Sequence, residues 1–245
     1  MYSCGVGMNK RSTLTKKITM AIFGVSVMGL STLSFATDNL LTDKEKQGGW
    51  QLLFNGKDLS QWRNYQSDTV SDKWQIDQGA LFLTGAGGGD LITKQQFENY
   101  ELKLDWKVSL GGNSGVFILA DELENKIYFK AVEVQILDNE RHSDNKIASH
   151  LSGSIYDLVA SPKSSHKEAG QWNQLHIKLV DKQLTVWQNG IQAVDIDLNG
   201  QAWQTLIEQS KFKTWKGFGK AKIGHIGLQD HSDPVWFKNI KIKEL

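Results

Sequence analysis

Tyr100-Glu-Leu-Lys-Leu-Asp-Trp-Lys-Val108 alternates without a fault. Tyr100, Leu102, Leu104, Trp106 and Val108 fall on one face, and Glu101, Lys103, Asp105 and Lys107 on the other. A period of two, with one apolar and one charged face, predicts a half-buried antiparallel strand. The pattern recurs on both sides. Upstream, the short apolar runs 50–54, 74–76 and 80–83 are divided by Asn55-Gly56-Lys57-Asp58 and Asp77-Gln78-Gly79, both suited to turns. Gly85–Gly89 is almost pure glycine, with no Lys-Ser/Thr to make it a phosphate loop, and predicts a bent connection. Downstream come 116–120, a long strand expected from Ile127, and 172–180. A hairpin of 184–187 and 191–196 turns at Asn189-Gly190, and 223–229 and 235–242 end the chain. Only 203–212 predicts a helix. Short strands punctuated by turns, with one short helix, predict an all-β sandwich.

One of these strands carries more than a core face. In Ala131-Val-Glu-Val-Gln-Ile-Leu-Asp138, Val132, Val134 and Ile136 form an apolar row. Glu133 and Gln135 share the opposite face, and Asp138 stands where the strand should end. Either this polar row decorates a solvated sheet face or it forms the floor of a ligand groove; spacing alone leaves both open. A register slip of one residue would exchange the two rows.

The first 36 residues stand apart. Lys10, Arg11, Lys16 and Lys17 precede an apolar run from Ile18 to Leu33, and Ser34-Phe35-Ala36 supplies small residues for cleavage. This is the anatomy of a secretory signal peptide, and it predicts a periplasmic or secreted protein cut after Ala36, with no membrane span after signal removal. The single cysteine, Cys4, would leave with the signal, so no disulfide is expected. The remaining chain holds 24 Lys and Arg against 27 Asp and Glu, a balance that argues against nucleic acid as a partner. Residues 37–48, polar and charged, read as a flexible N-terminal arm. Residues 49–245 are long enough for one domain with its own core.

Candidate chemistry concentrates in few places. The histidines His142, His150, His166, His176, His225 and His231 show no HExxH spacing, and no Gly-x-Ser-x-Gly elbow supports a serine nucleophile. His176 alternates with Leu175 and Ile177, as on the polar face of a strand; His150 and His231 lie in or beside loops. Glu133, Gln135 and Asp138 follow the order E-x-Q-x-x-D, and paired carboxylates can divide the work at a glycosidic bond. The nine tryptophans would suit sugar faces, although Trp50, Trp74, Trp106 and Trp172 sit on strand patterns that predict core. The long loop 139–155 suggests function rather than mere connection.

Six ordered motifs connect these features. They are Gly49-Trp50-x-x-Leu53-Phe54-Asn55-Gly56-Lys57-Asp58-Leu59-x-x-Trp62, Asn113-Ser114-Gly115-Val116-Phe117, Glu133-Val-Gln135-Ile-Leu-Asp138, Gly153-Ser-Ile-Tyr156-Asp157, Trp172-Asn173, and Gly227-Leu228-Gln229-Asp230-His231 with Phe237-Lys238-Asn239-Ile240. Together they resemble the 3-keto-disaccharide hydrolase family. The resemblance implies a concanavalin-like jelly roll, one of the lectin-like sandwiches, and cleavage of sugars already oxidised at C3. It departs at Leu119 and Lys238, where many members carry arginine.

On a 3-keto-glycoside, the carbonyl acidifies C2–H and a base starts elimination at C1. Glu133 or His150 is the expected base, with Asp138 as supporting acid or ligand. Asn113, Gln135, Gln229 and His231 would position the sugar, and Tyr156 would donate to an oxygen. A divalent metal ion at Glu133, Asp138 or His150 is a further expectation left open by the sequence. Two other readings remain: a family 16-like retaining β-glucanase built on the E-x-Q-x-x-D carboxylates, and a carbohydrate-binding module without catalysis.

Overall fold

The computed structural model describes residues 1–5, 7 and 38–245. The predicted signal peptide therefore lies, apart from its first few residues, outside the described residues. Among those described, the chain forms β1 (Gln51–Leu52), β2 (Trp62–Asn64), β3 (Trp74–Asp77), β4 (Ala80–Leu83), β5 (Leu91–Thr93), β6 (Tyr100–Val108) and β7 (Asn113–Ala120). There follow β8 (Val132–Leu137), β9 (Asn173–Val180), β10 (Gln183–Gln188), β11 (Ile191–Asp197), β12 (His225–Leu228) and β13 (Val235–Glu244). Two helices, α1 (Asp43–Gln47) and α2 (Gln201–Gln209), complete it.

All pairings between the strands are antiparallel and divide them into two sheets. The larger runs β11-β10-β9-β6-β13-β4-β3 with β1 beside β13; the smaller runs β2-β5-β12-β7-β8. Their inner faces share one core. Leu102, Leu104 and Trp106 of β6 meet Val132, Val134 and Ile136 of β8 within the same buried cluster. The expected all-β sandwich is therefore present, and the alternation of β6 survives residue by residue. Both expected two-residue turns form, because Gln78-Gly79 and Asn189-Gly190 take the positive φ angles that such turns demand, and Asp181-Lys182 makes a third between β9 and β10.

Four local expectations change. Ile127–Phe129 is a 3-10 turn rather than strand, and β8 begins only at Val132. The predicted helix ends at Gln209, where the Ser210 hydroxyl accepts the Phe212 N–H and opens a second turn, Lys211–Thr214. Residues 38–48 are fastened rather than flexible. Thr42 and Glu45 form a reciprocal capping box for α1, Asn39 exchanges backbone–amide bonds of 2.6 and 2.8 Å with Asn239, and Lys238 pairs with Asp38. Trp50 and Trp172 are not core: each is half-buried on the outer face of the large sheet, Trp50 under Lys103 and Trp172 between Lys107 and Lys238.

Candidate active site

The small sheet has its own exposed business on the face turned from the core. With Val132, Val134 and Ile136 buried inside, strand alternation sends Glu133 and Gln135 the other way. They enter a cavity of about 920 Å³ that also receives Asn113, Tyr156, Gln229 and His231. The groove reading of this strand is the one the structure realises. Gly115 makes the floor possible: a Cβ there would stand 2.6 Å from a Glu133 carboxylate oxygen. The glycine of the Asn113-Ser114-Gly115 motif, paired directly with Gln135, thus makes room for its diagonal neighbour on β8.

Burial pushes the Glu133 carboxyl up to about 8, the charge of Asp90 adds to the rise, and Lys211 and the Gln229 amide oppose it. Asp90, just before β5, is itself pushed up to about 6 by burial; the Asp230 N–H works against that rise and the Asp230 charge with it. Two carboxyls that resist ionisation therefore share one cavity with Lys126 and Lys211.

Tyr156 reaches Glu133 through the backbone. Its N–H donates to the Glu133 carbonyl at 3.0 Å, and Gln135 N–H donates to Ser154 O, so this stretch lines the edge of β8. Its hydroxyl donates to Asp144 Oδ2 at 3.1 Å, and burial followed by the Asp144 charge holds the phenol above its usual range. It stays a proton donor at neutral pH. His150 lies behind this pair and does not line the cavity. Its nitrogens meet Asp144 Oδ1 at 2.8 Å and Asp157 Oδ1 at 3.0 Å, and its ring stacks on Tyr156 at 4.4 Å. His150 is placed to position Asp144 and Tyr156 rather than to touch a ligand.

Asp138 is also outside the cavity. One oxygen accepts the Gly111 N–H at 2.7 Å, the other the Glu140 N–H at 3.1 Å. Burial works against its charge, but these bonds and Arg141 outweigh it and keep the carboxyl below its usual range. It ties two loops together. Glu133, Asp138 and His150 therefore do not converge, either as a catalytic trio or as a metal site, and the carboxylate pair required by the β-glucanase reading is not formed. His142, His231 and Asp233 do come close, their ligand atoms lying within 4.8 Å of one another.

The remaining positions fit polar ligand contacts. Gln135 Nε2 donates to Asn113 Oδ1 at 3.3 Å, while Gln135 Oε1 and Gln229 Oε1 are buried without a hydrogen-bonding partner among the described residues. Buried acceptors left so are costly unless something donates to them. Opposite, Tyr128, Phe212, Trp215 and Phe218 form an aromatic wall, with Phe212 and Phe218 stacked at 4.2 Å.

Sequence reasoning missed Asp90, Asp144, Lys126, Lys211 and this wall. Asp144 was reachable, since it sits in the long loop already singled out. Lys211 was hidden by the helix assigned across it; the turn at Ser210 instead carries its ammonium to 4.2 Å above the Tyr156 ring.

A two-sheet sandwich with an acidic, aromatic-walled cavity on its small sheet suits a carbohydrate ligand, and the family match and curated relative make the chain a carbohydrate-active enzyme of the glycoside hydrolase type. Residues 49–243 match the model of the 3-keto-alpha-glucoside-1,2-lyase-like domain, and the chain belongs to that family. It is 36% identical over 228 residues to a 3-keto-disaccharide hydrolase of Bacteroides thetaiotaomicron, covering 80% of this chain and 79% of that one. A solved structure from Parabacteroides distasonis, provisionally described as a glycosyl hydrolase, superimposes with a TM-score of 0.80 at 28% identity, over 85% of this chain and all of the other. A galectin-like protein from Bacillus subtilis, 9% identical, shares the fold with a TM-score of 0.51 over 85% of this chain and 95% of its own.

Proposed function

We propose that this enzyme cleaves glycosides of 3-keto sugars by elimination and hydration. The observation that carries the reading is Glu133: a single carboxyl on the cavity floor, made basic by burial and flanked by a proton donor, Tyr156. The Glu133 carboxylate removes the proton from C2, and the electron pair moves into an enolate with its charge on the C3 oxygen. Lys211 or Lys126 offsets that charge. Collapse of the enolate expels the glycosidic oxygen from C1, which takes a proton from Tyr156 or Asp90, and leaves a C1–C2 double bond conjugated with the ketone. Water then adds at C1 and gives up a proton to the deprotonated Tyr156 or Asp90, while C2 regains a proton from Glu133. Gln135 and Gln229 offer their unpartnered oxygens to sugar hydroxyls.

The reading is supported by the relative's activity and by the cavity chemistry. It includes export, with the signal cut after Ala36, which N-terminal sequencing of the protein from its producing cells would test. The chemistry is tested with a 3-keto-glucoside deuterated at C2, corrected for enzyme-free exchange. Breaking C2–D should slow kcat/KM by a primary isotope effect, and label is lost to solvent whenever Glu133 exchanges its deuteron before returning a proton to C2. Full retention of label together with no isotope effect would mean direct displacement at C1 and would end this mechanism.

A further inference from the structure

We propose that His142, His231 and Asp233 form a binding site for a first-row divalent cation, with zinc-like ligand preference, at the mouth of the cavity. The three residues arrive from two loops, one after β8 and one between β12 and β13, so their meeting is a tertiary feature with no motif in the sequence. Two imidazoles and one carboxylate are the donor set of open zinc and other first-row sites, which leave further positions for water or substrate. The open side here is defined, because His142 and His231 line the cavity that holds Glu133.

Surrounding contacts bear on how the ion would bind. Asp233 Oδ2 accepts the Asn113 N–H at 3.0 Å, a contact of the kind that orients a ligating carboxylate. The two imidazoles stand 6.2 Å apart at 77°. Ligand atoms in a tetrahedral site with bonds of roughly 2.0–2.1 Å lie roughly 3.3–3.5 Å apart, closer than the 4.8 Å limit of this group. His231, exposed at the rim, is the ligand free to close that gap.

His142 Nδ1 presently accepts the Asp144 N–H at 3.1 Å. A neutral imidazole that ligates through Nε2 carries its proton on Nδ1, and one that ligates through Nδ1 has no lone pair left there. Either way the ion and this hydrogen bond exclude each other. Cation binding is thus linked to Asp144, the residue that holds Tyr156 and His150. An ion so placed would also draw a sugar carbonyl or hydroxyl oxygen to its open position, a role that rests on the proposed keto-sugar chemistry; binding itself does not.

The test needs no substrate. The full chain is stripped with a chelator and titrated with Zn²⁺ by equilibrium dialysis, and with Co²⁺ by visible absorption. One tightly held ion per chain is expected. His142→Gln and His231→Gln should each weaken binding by about tenfold or more, while His166→Gln leaves it intact. The melting temperature of each variant without metal reports its folding. Absence of stoichiometric binding by the folded parent, or binding undiminished in both variants, would overturn the site. In a separate assay, stoichiometric binding by a parent that does not turn over a 3-keto-glucoside would count against the keto-sugar reading alone.

Discussion

Glu133 holds a carboxyl where burial and Asp90 both disfavour its charge, and that cost has a measurable sign. Its ordinary value of 4.5 is raised to about 8 in the fold, so between those limits the folded state binds more protons than the unfolded chain. Stability contributed by the neutral form is complete below about pH 4.5 and is lost as pH rises towards 8. Glu133→Gln should therefore abolish turnover while gaining stability over the parent, a gain that grows from about 1 kcal/mol near pH 5 to about 4 kcal/mol near pH 8. Thermal melts of both proteins across that range check this, and parallel curves would refute it. In the parent, kcat/KM should rise with pH until Glu133 ionises, in the field of Asp90, Asp144 and Lys211; a flat profile would remove it as base. Gly115→Ala tests the same carboxyl from across the strand pair. With a Cβ only 2.6 Å from its oxygen, the variant should stay folded yet lose turnover by about a hundredfold, through misplacement of the base. Undiminished activity would show that Glu133 has room to spare.

At the scale of elements, strands with one buried and one polar face were legible, and those shaped by their neighbours were not. β6 follows its alternation because period and burial agree, and β8 puts Glu133 and Gln135 into the cavity for the same reason. The start of β8 was misplaced because Ile127 and Phe129 are apolar for another purpose: their turn covers the small sheet and presents Tyr128 to the aromatic wall. His150 looked like a base because a loop histidine carries no mark of being enclosed by Asp144 and Asp157. Residues 37–48 looked like a tether because their partners, Asn239, Lys238 and Lys241, lie some two hundred positions away. The last point is testable. Asn39→Ala removes paired, largely buried contacts to β13 and to the turn before β4, and should cost about 1–3 kcal/mol. For a domain of this size, that lowers the melting temperature by roughly 2–4 °C per kcal/mol. Scanning calorimetry would show it, and kcat should hold, because the cavity lies on the other sheet. An unchanged melting temperature would mean that the arm adds nothing.

Across the whole molecule the two sheets divide their duties. The large sheet supplies most of the strands and carries lysine–tryptophan contacts on its outer side; the small sheet presents the cavity. Both departures from the family pattern fall outside that cavity. Leu119 is buried at positive φ, where the pairing of β7 with β12 shifts register, and Lys238 lies on the large sheet between Asp38 and Trp172. Neither alters the groups assigned to the reaction, so the family's chemistry remains open to this chain. The most direct measurement is turnover of the purified protein on a 3-keto-glucoside beside its unoxidised parent. Cleavage of the keto form alone is predicted, because only a C3 carbonyl makes C2–H acidic enough for a carboxylate base. Equal cleavage of the two would contradict the account and return the cavity to ordinary glycoside hydrolysis.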